Sequence, residues 1–487
     1  MSKAPRYADL HLHPSMRLYH YFVDPSEKSY WPQNENQDLG TSFSRWVRKM
    51  SAGVSKVSQT HFDSCAEGQV RVLFDSLYPI ERGFVRFRKS LEALLPESVF
   101  KTLVVTASGV SSQQFSHARK DDDYFTELLA QYEQVKSHQG PSPSGKNAYR
   151  IVNSFDEMDT YLDEDDGNIA IVLTIEGAHV LGCGTPTSAK LPPEQLREQV
   201  LHNLDSVKAW EHPPFFMTFA HHFWNQLCGH AATFPTAARL TLDQQEGLNQ
   251  GFTELGWEVM EAMLSKENGR RILIDTRHMS ARSRIEYYKH IDEHNRKNPN
   301  DRIPIISSHA ATNGFATLAE SEVVPDTMAK KKHTPYCSWS LNISAEEMQA
   351  IHDSGGLIGV ILDKGRLSGI KKLQGIDSIR NPDEKREAFA KLVLDNLFEM
   401  VQAVDAASAW DVLMLGSDLD GVITHIDCYD HMGTIPQLRE DLTHYLQRNQ
   451  YRKELWYGME PEEIFEKFFE TNAQRFLKQH FTPLNQG

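Results

Sequence analysis

The sequence predicts an α/β protein, a (β/α)8 TIM barrel with long insertions. Three observations carry this: eight short β-rich apolar runs, helical periodicity between them, and a polar or histidine residue where each run stops. In chain order the runs are YADLHLH (7–13), VRVLFDSLY (70–78), NIAIVLTIEG (168–177), FFMTFAHH (215–222), RILIDTRH (271–278), IPIISSH (303–309), GLIGVILD (356–363) and DVLMLGSDLD (411–420). A parallel strand covered by helices is buried on both faces and therefore reads as continuously apolar.

Between the runs the apolar period changes to that of a helix. Over 384–404, Phe389, Leu392, Val393, Leu397, Met400, Val401 and Val404 fall on one stripe. Helices are also predicted over 242–264 and 461–477, the latter opening on Pro461 and two glutamates. KTLVVTAS (101–108) is ambiguous by periodicity, a ninth strand or a buried helix. An open doubly wound sheet is the rival fold. It calls for a Gly-rich phosphate loop after the first strand, and ADLHLHPSM has none. Segments 14–68 and 110–167 are expected to be insertions on one barrel domain spanning 1–487, with local helices at 44–50 and 124–136.

Composition narrows the function. Of 487 residues 40% are hydrophobic and 24% charged, enough for a sizeable core. A net charge of −15 argues against a nucleic-acid surface, and the short run Lys330-Lys331-Lys332 reads as a solvated loop. Five scattered cysteines show neither a disulfide framework nor metal spacing. With no long apolar run, no signal-peptide stretch before residue 11 and no lipid-anchor tail, a soluble cytoplasmic protein is expected. A homo-oligomer is left open.

The chemistry gathers at the strand ends, which in such a barrel converge on one mouth. The first strand carries His11 and His13, two residues apart and so on the same side. Glu176, His278, His309 and Asp418 end the third, fifth, sixth and eighth. Four imidazoles and two carboxylates suit zinc, and also manganese, iron or cobalt. Singly, each residue has an ordinary reading: a chance H-x-H, a capping glutamate, hydrogen-bonded histidines, turn aspartates at Asp418 and Asp420. Five strand ends delivering metal-competent groups together is what that reading leaves unexplained. His179, Asp75 and Glu81 are balanced between shaping the mouth and local structure. His61, His117, His138, His202, His290 and His294 are assigned structural or surface roles.

HLH, TIEGAH, FAHHFWNQL, DTRHMS, ISSHAAT and GSDLDG, in this order, resemble the membrane (renal) dipeptidase family of the amidohydrolase superfamily, and TNAQRFL resembles its closing segment. The likeness runs through nearly the whole chain. It implies a binuclear zinc barrel that hydrolyses dipeptides, with 70–78 as the second strand and 101–108 helical. It implies His11 and His13 on the first metal, Glu176 bridging, and His278 and His309 on the second. Asp418 would handle the proton, and a metal-bridging hydroxide would attack the carbonyl. His221 would touch the substrate carbonyl, with Asn225 and Leu227 following at familiar spacing and His222 as the fallback.

Two departures stand out. The family usually has Asp where this chain has His13. It also places a carboxylate-binding arginine after the sixth-strand histidine, where AESEVVPD offers Glu320 and Glu322. Like charges repel, so Arg277, Arg282 or Lys364 would have to substitute, or the substrate lacks a free carboxylate. The expected function is therefore amide hydrolysis of a small or dipeptide substrate. The rivals are a hydrolase of another amide, lactone or ester, and a catalytically silent metal-binding barrel.

Overall fold

A computed structural model describes residues 4–18, 29–33, 57–86, 97–108, 112–120, 123–234, 242–323 and 334–483. The predicted helix at 44–50, the run at 330–332 and the Glu322 side chain lie outside the described residues.

All eight predicted runs form strands. They are β1 (Tyr7–Leu12), β2 (Val70–Leu77), β5 (Asn168–Glu176), β6 (Phe216–Thr218), β7 (Leu273–Asp275), β8 (Ile306–Ala310), β9 (Leu357–Val360) and β10 (Leu413–Leu415). Two short strands, β3 (Gly140–Pro141) and β4 (Ala148–Ile151), precede β5. The order β1-β2-β5-β6-β7-β8-β9-β10 is parallel throughout, giving a nearly closed barrel with helices between strands. The loop after β10 completes the ring: Asp418 N–H donates to His11 O at 2.9 Å, and His13 N–H donates to Leu419 O at 3.1 Å.

The register breaks between Tyr7 and Ala8 and between Asp9 and Leu12 on β1, and between Ser307 and Ala310 on β8. The last two irregularities contain candidate ligands, His11 and His309. Bulges re-aim side chains, and both lie where a ladder would otherwise fix the direction of the imidazole.

Residues 101–108 belong to the helix Glu97–Ser108, as the resemblance implies. The 384–404 stripe lies on the helix Pro382–Val404, where Phe389, Leu392, Val393, Leu397, Met400 and Val401 are buried. The 461–477 prediction corresponds to a helix from Pro461 with a π-turn at Lys467–Thr471, continuing as Asn472–His480. Asn472 Nδ2 donates to Trp410 O and Leu413 O, docking that closing segment at the start of β10.

One reading needs correction. The helix expected over 242–264 begins only at Glu254, with Thr253 capping Gly256 N–H. Gly247 has φ +73° and packs against Trp224, so the chain before it turns instead of coiling. Segment 110–167 holds the helix expected at 124–136, as Tyr124–Ser137, and two more, Ser112–Lys120 and Phe155–Glu164, and β4 pairs with β5. Tyr149 and Ile151 of β4 join the main core. Among the described residues no helix is long and apolar enough to cross a membrane.

Gly359 on β9 is held close to its neighbours. A Cβ there would lie 1.8 Å from Ser308 O and 2.9 Å from Gly416 Cα, with no flexible side chain to yield. Gly359→Ala is expected to lower stability by about 1–3 kcal/mol, read as a reduced urea midpoint. An unchanged midpoint would contradict this packing.

Candidate metal centre

The predicted residues at the strand ends converge on the Glu176 carboxylate, itself 4% exposed. Its Oε1 lies 3.3 Å from His11 Nε2, 3.4 Å from His221 Nε2, 3.6 Å from His278 Nε2 and 3.7 Å from His309 Nε2. Its Oε2 lies 3.2 Å from His13 Nε2. Asp418 spans the group, with Oδ1 at 3.5 Å from His13 Nε2 and Oδ2 at 4.0 Å from His309 Nε2.

The ring nitrogens also face one another. His13 and His11 approach Nε2 to Nε2 at 3.1 Å, and His278 and His309 at 3.0 Å. The outer nitrogens show which inner atoms are bare. His13 Nδ1 donates to Ser76 O at 3.1 Å, and His309 Nδ1 meets Ser308 Oγ at 2.8 Å. Ser308 Oγ in turn donates to Asp275 Oδ2, which also accepts from Thr218 Oγ1. This places a lone pair on His309 Nε2, and on His13 Nε2 once that ring has given up its second proton, the outer hydrogen bonding that fixes a metal-binding tautomer.

The residues fit metal. A tetrahedral centre with bonds of about 2.0–2.1 Å spaces its ligands roughly 3.3 Å apart, and the separations here cluster around that value. His11, His13 and Asp418 form one competent triad, His11, Glu176 and His309 a second, and His221, His222 and His278 a third. Burial raises the Glu176 pKa, yet His221, His11 and His13 hold it well below the usual carboxylate range. Burial, reinforced by the charge of His221, pushes His278 well below the ordinary imidazole value. Burial and His11 do the same to His309. Burial lowers the His13 pKa, but Glu176 and Asp418 raise it well above the ordinary imidazole value. An anionic Glu176 beside neutral His278 and His309 is the protonation state that a metal requires of those three.

Backbone strain marks the same place. His278 has φ +67° and Asp418 φ +60°, followed by Asp420 at +66° and the β-branched Val422 at +64°. Non-glycine residues hold such angles only where the surroundings over-determine them. Asp420 is fixed by donors from Gln59 N–H and Thr60 N–H, both 2.9 Å from its Oδ2.

Next to the cluster is a cavity of about 250 Å³, walled by Phe84, His221, His222, Arg277, Arg366 and Asp418 among others. His222 lines it, its Nδ1 2.7 Å from Thr233 Oγ1. Asn225 does not. Its Nδ2 donates to Phe219 O and its Oδ1 accepts from Leu227 N–H and Cys228 N–H, so it shapes its own loop. His179 turns to Pro79 O, and Asp75 accepts from Ser15 Oγ. Arg282 pairs with Glu286, Lys364 with Asp427, and exposed Glu320 caps Thr317 N–H; none reaches the cavity wall.

Glu81 belongs to the site. Its Oε2 sits 2.6 Å from His221 Nδ1 and accepts from His222 N–H, while Oε1 accepts from Phe223 N–H. Its place just beyond β2 was the only sign in the sequence. Asp275 opens the DTRHMS motif without a role of its own in the sequence, and no motif marks Arg366.

No family model and no curated protein matches the chain in sequence. Its solved structural neighbours include proteins described as metallopeptidases. One is a dipeptidase described as a metallopeptidase of family M19, with TM-score 0.53 and 14% identity over 98% of this chain and 99% of that one. Another is a metallopeptidase from Rhodobacter sphaeroides carrying a phosphinate mimic of the dipeptide L-Ala-D-Ala, with TM-score 0.52 and 14% identity over 98% and 100%. At that identity the likeness establishes the fold, shared along almost the whole length of each chain.

Burial would raise the Glu81 pKa, but the His221 charge brings it from 4.5 down to about 2. A depressed carboxylate adds stability above its unfolded value and loses it as the pH falls toward the folded one. Glu81→Gln is expected to reduce the urea midpoint at about pH 6, the deficit shrinking steadily below about pH 4.5. A deficit independent of pH would contradict the Glu81–His221 ion pair.

Proposed function

We propose that this protein is a metal-dependent hydrolase that cleaves the amide bond of a small, dipeptide-like substrate with the help of two divalent cations. The observation that carries this is one buried carboxylate, Glu176, ringed by five imidazoles at 3.2–3.7 Å. The mimic-bearing neighbour of the same fold supports the substrate class.

His11 and His13 would hold one cation and His278 and His309 the other, with Glu176 between them. Zinc matches the mixed nitrogen and oxygen donors. Bound there, the cations would supply Lewis acidity, lowering the pKa of water from about 15.7 toward about 7 and polarising a carbonyl oxygen.

The remaining work falls to side chains. Asp418 Oδ1 and Oδ2 face both halves of the cluster, so this carboxylate can take a proton from the attacking water and return it to the leaving nitrogen. Burial lowers the His221 pKa, but Glu176 and Glu81 together raise it to about 10. His221 is thus an imidazolium at neutral pH. Its Nδ1–H donates to Glu81, and its Nε2–H, 3.4 Å from Glu176 Oε1, would turn to the oxyanion that develops on the substrate once Glu176 holds the cations. His222, with its Nδ1 on Thr233, lines the substrate side of the same wall.

Elemental analysis of the purified protein is expected to find about two divalent metal ions per chain. With a panel of dipeptides, N-acyl amino acids, lactones and esters, Asp418→Asn is expected to cost about 10²–10⁴ in turnover while preserving the circular dichroism spectrum. His278→Ala is expected to lose metal and turnover together. Near-normal rates in either variant would contradict the assignment. Turnover of lactones or esters alone would move the substrate class, and metal without any turnover would leave a silent barrel.

A further inference from the structure

A second cavity, of about 740 Å³, opens at the rim where the strands begin, the far end of the barrel from Glu176. Leu273, the first residue of β7, lines it together with the end of helix Pro193–Lys208, the turn at 266–271 and the loop 299–302 before β8. That volume is of the size that holds small molecules, roughly 300–1,000 Å³.

Its charge runs against that of the chain. In a protein of net charge −15, Lys208, Lys266, Arg270, Arg271 and Arg302 line this cavity against two acids, Glu267 and Asp301. Asp301 is shared by Lys266 at 2.6 Å and Arg271 at 2.8 Å, so one negative charge answers two positive ones. The other three cations make no ion pair among the described residues and are held by neutral oxygens. Arg270 Nη1 and Nη2 donate to Asn153 O and Pro213 O, both at 2.6 Å. Lys208 Nζ donates to Ala262 O at 3.0 Å and Ser265 O at 2.8 Å, and Arg302 Nη2 to Asp353 O.

Arg270 is the least compensated of them. Its guanidinium lies 4.6 Å from the Phe481 ring centroid, and its Nε is buried without a partner. Burial lowers its pKa from 12.5 to about 10, and no carboxylate opposes the shift. Lys208 is 4% exposed; burial and Arg271 oppose its charge, while the exposed Asp205 and Glu267 favour it. Carbonyl oxygens would satisfy these donors wherever they stood. Gathering five cations on one wall raises their mutual repulsion, which an anion in the cavity relieves.

We propose that this cavity is a second binding site, for a small molecule that carries a phosphate group, on the side of the barrel away from the metal centre. A phosphoryl dianion offers acceptors in several directions, which suits guanidinium and ammonium donors arriving from three separate segments. Exposed Lys266 and Arg302 can turn to it, and Lys208 and Arg270 supply charge from buried positions. The site is independent of the hydrolase reading.

The test is calorimetric titration of the metal-loaded, full-length protein with inorganic phosphate, glycerol 3-phosphate and acetate, at one ionic strength. Both phosphates are expected to bind at least about tenfold more tightly than acetate. Tighter binding of the ester would assign an organic phosphate, and the reverse order free phosphate. Arg302→Ser is expected to weaken phosphate binding about threefold, and Asp301→Asn, which releases Lys266 and Arg271, to tighten it by a similar factor, with metal content unchanged in both. Arg270→Gln should weaken it by at least about tenfold. If that variant fails to fold, the two solvent-reached positions decide. Acetate binding as tightly as phosphate would overturn the proposal. So would phosphate affinity unmoved by both Arg302→Ser and Asp301→Asn, which would put the anion on the metal centre instead.

Discussion

A carboxylate that keeps its charge while buried needs compensation from every side, because desolvation alone would neutralise it. At Glu176 that compensation comes from imidazoles on β1, β8 and the loops after β6 and β7, none of them near it in sequence. The rest of the molecule is arranged around that requirement. Parallel strands bring their C-terminal ends to one rim, and a barrel is the arrangement in which eight of those ends meet. Shared hydrogen bonds across the seam, from Asp418 N–H to His11 O and from Ser417 N–H to Asp9 Oδ1, tie the last strand end to the first where the cluster forms.

Strain and support are concentrated together. The register breaks at His11 and His309, the left-handed backbone at His278 and Asp418, and the facing imidazole nitrogens would each destabilise the fold on their own. Buried acids counter this from behind. Asp275 gathers Arg277 N–H, Ser308 N–H, Ser308 Oγ and Thr218 Oγ1, and Glu81 pins the loop bearing His221 and His222. A cation accepted between the nitrogens turns the remaining repulsion into bonding, so metal binding and stability should be coupled.

Much of this was legible in the sequence, for identifiable reasons. Strands buried on both faces leave uninterrupted apolar runs, and the chemical residues stand where those runs stop, so β1, β2 and β5, and the candidate ligands at the ends of β1 and β5, could be read directly. The three-residue strands β6, β7 and β10 were still visible because the flanking apolar residues remain buried after the ladder ends. The helix expected from residue 242 failed because Gly247 breaks a stretch whose apolar spacing is helical. Asn225 was placed in the site by the resemblance of FAHHFWNQL, but its amide is used within its own loop. Glu81 and Arg366 act through side chains from distant elements, and one-dimensional spacing carries no trace of such meetings.

The central claim is that Glu176 lies between two cations. Anomalous diffraction from crystals of the metal-loaded protein, collected at the absorption edge of the bound element, tests this most directly. Two peaks about 3.5–4 Å apart are predicted, one beside His11 and His13 and one beside His278 and His309. A single peak, or peaks remote from Glu176, would contradict the account.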